Sequence, residues 1–390
     1  MNHKPTDEGP KGDILVVDDM PVNLRLLSHM LTEQGYKVRS VINGPMALTA
    51  TLAAPPDLVL LDINMPGMNG YEVCERLKAN EQTRDIPVLF ISAMDELQDK
   101  VKAFSVGGLD YITKPFQFEE VLARVETHLD LRRLQKQLQE ANRRFEQELA
   151  LAGRVQTSFL PDAPEIAGWQ LAVTLKPARE TSGDFYDINP LPDGQLGIVV
   201  ADVVDKGVGA ALYMSLTWIL LRTYAAEYPT QPERVFSAVN RRMIIDAHTN
   251  QFVTTFYGIL DPATGTLVYS NAGHNPPYLL PGHNGNEARR LTGTGLPLGI
   301  FDDASWTQEI IQLSPGDTLV LYTDGVTEAQ NPERLLFGEK RLVECVQANR
   351  GRAARDIQNA ILTEISEFVG EAPQLDDITL VVIARDSNDS

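Results

Sequence analysis

The chain has 390 residues, with 34 Lys and Arg against 53 Asp and Glu and a formal charge of −19. That length suits two or three domains of about 100–200 residues, and 43% hydrophobic with 22% charged residues excludes wholesale disorder. The acidity disfavours nucleic acid or an anionic membrane as partner, and two cysteines, Cys74 and Cys345, exclude a disulfide scaffold or Cys-rich zinc module. With no run of about 18 apolar residues and a polar start over Met1 to Lys11, the expectation is a cytoplasmic protein with no nucleic-acid and no membrane partner.

From Asp13 to about Asp130, short β-rich runs each precede a stretch of helical spacing. The runs are Ile14–Val17, Val38–Val41, Leu58–Leu61, Val88–Ile91 and Tyr111–Thr113. Five such units with near-continuous apolar strands predict an α/β domain, a doubly wound five-stranded parallel sheet covered on both faces. Ligands of such sheets bind outside the carboxyl ends of the strands. Asp18 and Asp19 follow the first run there, Asp62 the third, Ser92 the fourth and Lys114 the fifth. Each carboxylate pair at ~4 Å repels by ~4 kcal/mol at an effective dielectric of ~20. Three converging acids therefore need a counter-charge, which a divalent metal and the Lys114 ammonium supply.

Residues from about Lys11 to Asp130 resemble the receiver domain of two-component response regulators, on Val16–Asp19 (VVDD), Leu61–Gly70 (LDINMPGMNG), Ile91–Ala93 (ISA) and Asp110–Phe116 (DYITKPF). The resemblance implies that Asp62 accepts a phosphoryl group from a histidine kinase or other phosphodonor. It also implies Mg2+ held by Asp18, Asp19 and Asp62 with the Asn64 carbonyl. Ser92 and Lys114 would contact the acyl phosphate, and Tyr111 would be the aromatic switch residue that turns inward with Ser92.

The last receiver helix is not expected to stop. Apolar residues recur at Leu131, Leu134, Leu138, Ala141 and Phe145, a coiled-coil seam, then at Leu149, Ala152, Val155 and Phe159. The two successive spacings of four around Phe145 form a stutter that locally unwinds a supercoil. The expectation is a helical coiled-coil linker over residues 131–163, ended by Pro161, that makes a parallel homodimer through residues 131–159. The alternative is a monomeric helix lying on one domain.

Beyond Pro164, eight β-like runs from Gln170–Lys176 to Thr379–Ala384, including Gly194–Ala201 and Thr307–Gln312, are interrupted by helical blocks. The blocks are Val208–Glu227, Pro232–Ala247, Glu339–Ala348 and Ala354–Val369. This pattern predicts an α+β sandwich of two sheets flanked by helices over residues 164–390. Acids again sit at run ends: Asp184 in SGDFYD, Asp202 in VADVVDKG, Asp324 in LYTDGVTEA, and Asp376 with Asp377 in LDDIT. With Lys206 the one basic residue in these motifs, they read as a carboxylate cage for a hard metal, Mg2+ or Mn2+ rather than zinc.

These motifs, with NAGHNPP (Asn271–Pro277) and GLPLGI (Gly295–Ile300), resemble the metal-dependent PPM/PP2C Ser/Thr phosphatases in their bacterial SpoIIE/RsbU-like branch, over about Leu149 to Arg385. The resemblance implies two Mn2+ or Mg2+ ions. Asp202 would bridge them, the Val203 carbonyl would add a ligand, Asp184 would help through water, Asp324 would bind one ion, and Asp376, in preference to Asp377, the other. A water acidified by the two cations would attack a phosphoserine or phosphothreonine in line. Where many relatives carry histidine this chain has Lys206, which could approach the substrate phosphate. His274 is either a general acid or, the favoured reading, an orderer of its loop. The whole reads as a response regulator with phosphatase output, acting on a phosphorylated STAS-type anti-sigma-factor antagonist. The rival is a degenerate phosphatase fold that only binds or delivers a sigma-control protein.

Overall fold

The computed structural model describes residues 9–92, 97–247, 251–282 and 288–387; Ala93 of the ISA run lies outside them. Chain contacts divide into two compact units, Met1–Arg143 and Arg144–Ser390. No helix among the described residues is long and apolar enough to cross a membrane.

The first unit alternates β1 (Asp13–Val17), α1 (Pro21–Glu33), β2 (Lys37–Val41), α2 (Gly44–Ala53), β3 (Leu58–Asp62), α3 (Gly70–Ala79), β4 (Val88–Ser92), α4 (Leu97–Ser105) and β5 (Asp110–Thr113), and leads into α5 (Phe118–Thr157). The strands form one sheet in the order β2-β1-β3-β4-β5, every pair parallel. Period-two alternation explains why these strands are apolar throughout. Ile14 and Val16 pack with Leu27 of α1 and Val125 of α5, while Leu15 and Val17 pack with Val73 and Leu77 of α3.

Helix α5 runs past the receiver core as one element. It ends at Thr157, four residues before Pro161. The last turn tightens there, with Phe159 N donating to Gln156 O and Leu160 N to Thr157 O, because the residue before a proline is held out of helical geometry.

The second unit contains β6 (Trp169–Lys176), β7 (Phe185–Pro190), β8 (Leu196–Val203), α6 (Val208–Glu227), α7 (Pro232–Ala247), β9 (Val253–Asp261), β10 (Thr266–Ala272), β11 (Tyr278–Leu280), β12 (Arg289–Arg290), β13 (Glu309–Gln312), β14 (Thr318–Tyr322), α8 (Asp324–Thr327), α9 (Gly338–Ala348), α10 (Ala354–Val369) and β15 (Ile378–Arg385). Two five-stranded sheets, β13-β10-β9-β8-β7 and β12-β11-β14-β15-β6, stack face to face. Alternation again sorts the layers. Ile198 and Val200 of β8 meet Leu321 of β14 and Ile383 of β15 between the sheets. Val199 and Ala201 face Met214 of α6 and Phe236 of α7, and Leu380 and Val382 face Leu342 of α9 and Ile361 of α10. The result is a four-layer helix-sheet-sheet-helix sandwich. The strand expected from Gly194 begins at Leu196, because Pro192–Gly194 closes a 3-10 turn with Asp193 at φ 57°. The run expected from Thr307 pairs only from Glu309. Strands β11 and β12 and helix α8 were too short to leave a periodic signal.

The tryptophans Trp169, Trp218 and Trp306 all fall in the second unit, so their fluorescence reports its unfolding alone. Ile383→Ala, at a fully buried position between the sheets, should lower the stability read from the urea dependence of that signal by about 2–5 kcal/mol.

Candidate active sites

The carboxyl end of the first sheet gathers the expected residues. Asp18 follows β1, and Asp62 ends β3; both are buried, while Asp19 beside them is more open. One carboxylate oxygen from each lies within 4.8 Å of the others. Lys114 Nζ donates to Asp18 Oδ2 at 2.9 Å and to Asp62 Oδ1 at 3.0 Å. Asn23 Nδ2 reaches both oxygens of Asp18, and the Met20 amide reaches Oδ1. Burial pushes the Asp62 pKa above the usual carboxylate range even though Lys114 opposes the rise, and Asp18 and Asp19 add to it. Burial works against the Lys114 charge, but its hydrogen bonds to Asp18 and Asp62 raise its pKa overall.

The loop after β3 is fixed by close approach. A Cβ on Gly70 would stand 2.3 Å from the Asp62 carbonyl oxygen, so only glycine lets α3 begin here. Asn69 and Glu72 close a capping box on that helix. Asn64 lies exposed in this loop. Ser92 is buried at the end of β4, and its carbonyl accepts from the Lys114 amide at 2.7 Å. Tyr111 of β5 is half-buried, with the Arg124 guanidinium 5.4 Å from its ring centroid.

In the second unit Asp202 and Val203 end β8, Asp324 opens α8 after β14, and Asp376 and Asp377 precede β15. Asp184 stands just before β7, buried, and its Oδ2 accepts from Thr323 at 2.5 Å and Thr379 at 2.8 Å. Burial, then the Asp202 and Asp377 charges, push Asp184 far above the carboxylate range. Asp202 is driven up to about 7 by burial and by Asp324, Asp376 and Asp377, against a hydrogen bond with Asp184. Asp324 rises to about 6 through burial, Asp376 and Glu328, with Lys206 opposing. These couplings bring all five acids into one field. Their spacing is wider than in the first unit, since among the described residues only Asp18, Asp19 and Asp62 meet within 4.8 Å.

The adjacent acids Asp376 and Asp377 differ in what they touch. Asp377 is saturated: Oδ1 accepts from the Ala178 amide at 2.7 Å, and Oδ2 from Ser182 Oγ at 2.7 Å and the Gly183 amide at 2.9 Å. Asp376 meets Lys206 Nζ at 2.7 Å, and that ammonium also donates to the Leu375 carbonyl at 2.6 Å. A cleft of about 360 Å³ opens beside Asp376, lined by Gly325, Leu362, Val369 and Leu375 among others. His274 is buried, its Nδ1 3.0 Å from Thr254 Oγ1, and its amide donates to Asn271 Oδ1 at 2.8 Å. Burial pushes its pKa down to about 4, so the ring is neutral at pH 7, and the loop itself is tied by backbone groups of His274 to the Asn271 side chain. Both sites present oxygen donors only, and that chemistry fits hard divalent cations.

A parallel α/β sheet with an acid cluster and an antiparallel αββα sandwich with a second one define a receiver domain joined to a PP2C-type phosphatase domain. The chain belongs to the Stage II sporulation protein E (SpoIIE) family, whose model matches residues 192–386, half of the chain. The response regulator receiver domain model matches residues 14–126. Both are families that use divalent metals, and the pairing places the chain in two-component signalling. Protein IcfG of Synechocystis sp. is 34% identical over 267 residues, 61% of this chain and 41% of that protein, so the chain spans about two-fifths of its length. Phosphoserine phosphatase RsbU of Bacillus subtilis is 28% identical over 263 residues, 66% of this chain and 74% of RsbU. The SiaA-PP2C domain of Pseudomonas aeruginosa shares the fold, with a TM-score of 0.58 at 22% identity, covering 63% of this chain and 99% of that one.

Asp202 and Asp324 keep their protons in the folded chain up to about 7 and about 6, whereas an ordinary aspartate gives its proton up near 3.8. Their contribution to stability is thus complete below about pH 4 and is lost progressively as the pH rises from there through about 6 and 7. In metal-free buffer the tryptophan-detected melting temperature should carry a fall contributed by these two acids between about pH 4 and about pH 7, and Asp202→Asn should flatten it.

Proposed function

We propose that this chain is a response regulator whose output is metal-dependent dephosphorylation of phosphoserine or phosphothreonine on a protein, controlled by phosphorylation of Asp62. One observation carries the reading: Asp184, Asp202, Asp324 and Asp376 share one field although burial and then their mutual repulsion push Asp202 up to about 7 and Asp324 up to about 6. Acids in such a cluster are costly unless a cation offsets them.

Asp202, with the Val203 carbonyl, would stand between two Mn2+ or Mg2+ ions, Asp324 would hold one, Asp376 the other, and Asp184 would act through water. Asp376 is preferred to Asp377 because the oxygens of Asp377 are already taken by Ala178, Ser182 and Gly183. Bound cations of this kind supply charge neutralisation and an acidified water for in-line attack on phosphorus. The chain's residues do the rest. Thr323 and Thr379 orient Asp184, Asp377 ties the Ser182 loop to the start of β15, and Lys206 orients Asp376. No cysteine nucleophile competes, since burial pushes Cys74 up to about 11 and Cys345 up to about 12.

In the receiver, the Asp62 carboxylate would attack the phosphorus of a histidine kinase phosphohistidine or a small phosphodonor, forming an acyl phosphate as the bond from phosphorus to the imidazole or other donor group breaks and that group leaves. Lys114 would balance the charge, Ser92 would meet the acyl phosphate, Tyr111 would turn inward with it, and Mg2+ would sit on Asp18, Asp19, Asp62 and the Asn64 carbonyl. Similarity to RsbU supports a phosphoserine protein as substrate, and we take it to be a STAS-type anti-sigma-factor antagonist. We assign residues 11–130 to the receiver, 131–163 to a linker and 164–390 to the phosphatase, all acting in the cytoplasm. The linker would pair with a second copy, because Leu131, Leu134, Leu138, Phe145 and Val155 of its seam are 50–62% exposed.

Hydrolysis of p-nitrophenyl phosphate by the full chain should depend on Mn2+, and Asp202→Ala should reduce it to background; a flat metal titration favours the binding-module reading instead. With a phosphoprotein substrate, a small phosphodonor should change turnover in the unmutated chain and leave Asp62→Ala unaffected. Equal rates in all four cases sink receiver control. Sedimentation should find the unmutated chain dimeric and the Leu134→Asp, Leu138→Asp double variant monomeric.

A further inference from the structure

We propose that Gln156, in the last turn of α5, is a positioning residue for the metal site of the phosphatase unit; the inference rests on the reading of that site given above. Almost every side chain of α5 beyond Leu131 is exposed or half-buried, but Gln156 is 7% exposed. Its Oε1 accepts from the Ser182 amide at 2.9 Å, and its Nε2 donates to the Ser182 carbonyl at 2.5 Å. The side-chain amide therefore pairs with the backbone of Ser182 as a neighbouring strand would, satisfying two buried backbone groups of that residue.

Ser182 is where the acids of the site are tied together. Its hydroxyl donates to Asp377 Oδ2 at 2.7 Å and accepts from the Asp184 amide at 3.0 Å. The next amide, Gly183, donates to the same Asp377 oxygen at 2.9 Å. Gln156 thus fixes a backbone two residues from Asp184, and that backbone in turn fixes Asp377, the neighbour of Asp376. One turn earlier on the helix, a Cβ on Gly153 would stand 1.9 Å from the Glu180 carbonyl oxygen, so helix backbone and loop backbone are in contact. The loop cannot move there independently of the helix.

Helix α5 begins at Phe118, in the receiver, and ends one residue after Gln156. A rotation or register shift of its last turn would break the amide pair first, leaving the Ser182 N–H and C=O unpaired, and would release the loop that sets Asp184 and Asp377. This gives the linker a physical handle on the acids through one side chain, without contact to substrate.

The test uses the full chain with Asp18→Asn, which silences the receiver's acid cluster, and Mn2+ alone as the probe. Gln156→Met keeps the volume and removes both hydrogen bonds. Phe159→Ala is the control, because its ring stacks on Trp218 at 5.3 Å and anchors the same segment away from Ser182. By calorimetry Gln156→Met should weaken Mn2+ binding about tenfold, and Phe159→Ala should stay within about twofold of the parent. In p-nitrophenyl phosphate turnover, half-saturating Mn2+ should rise by the same factor while kcat at saturating Mn2+ holds, a split that general loss of folded protein does not produce. Scanning calorimetry of the metal-free variants checks folding, and Gln156→Glu, which keeps the acceptor for the Ser182 amide, replaces Gln156→Met if that variant melts early. Unchanged Mn2+ affinity in a folded Gln156 variant, or an equal loss in Phe159→Ala, overturns the inference and leaves the phosphatase reading standing. Absence of Mn2+ binding in the parent overturns both.

Discussion

Carboxylates held together at strand ends are the constraint on which both units depend. A pair at ~4 Å costs ~4 kcal/mol at an effective dielectric of ~20, and the two units meet that cost differently. The receiver carries its own cation, because Lys114 donates to Asp18 and Asp62 at 2.9 and 3.0 Å. Among the described residues the phosphatase unit has no such central cation. Lys206 serves Asp376, hydroxyls serve Asp184, and backbone amides with Ser182 serve Asp377. Asp202 and Asp324 are left with the unrelieved share, and they respond by holding protons up to about 7 and about 6. The residual strain marks where a divalent cation does most for the protein.

A repulsive site of this kind needs rigid walls, and the layered architecture provides them. The strands that end in acids are buried on both faces, so their ends cannot drift without opening two cores. The supports of Asp184 illustrate this. Thr323 follows β14 and Thr379 lies in β15, and the Thr379 amide donates to Thr323 Oγ1 at 3.0 Å before both hydroxyls converge on one carboxylate oxygen. The pairing of β14 with β15, Tyr322 opposite Leu380, sets that geometry. Sheet register therefore acts directly on the protonation of a buried acid.

Much of this was legible in the sequence because strands buried on both faces leave unbroken apolar runs, and the acid after each run marks its carboxyl end. Asp18, Asp62 and Asp202 could be placed that way before any fold was known. Other features left no such trace. Asp376 and Asp377 are adjacent letters, and only packing separates the one saturated by backbone amides from the one facing Lys206. His274 reads as a possible acid until its burial is seen. Helix α5 stops at Thr157 rather than at Pro161, because the restriction that a proline places on the residue before it tightens the chain a turn early, and the sequence does not say by how many residues. Gln156 is hidden most completely. Among the Gln, Glu and Arg residues of a long polar helix it is one more solvated side chain by composition, and its role comes from a loop 26 residues further on.

The net charge of −19 also changes meaning once the acids are located. A formal count treats each carboxylate as ionised surface, yet Asp18, Asp62, Asp184 and Asp377 are buried, and burial with mutual repulsion raises the pKa of Asp184 and of Asp202 above that of a solvated carboxylate. Lys114 and Lys206 are likewise paired with these acids. What reaches a distant partner is the field of the remaining surface charges, screened beyond ~10 Å at moderate salt. The site acids act over a few ångströms, on one another and on whatever cation enters. The acidity that argues against nucleic acid as a partner and the acidity that calls for metal thus belong to different residues.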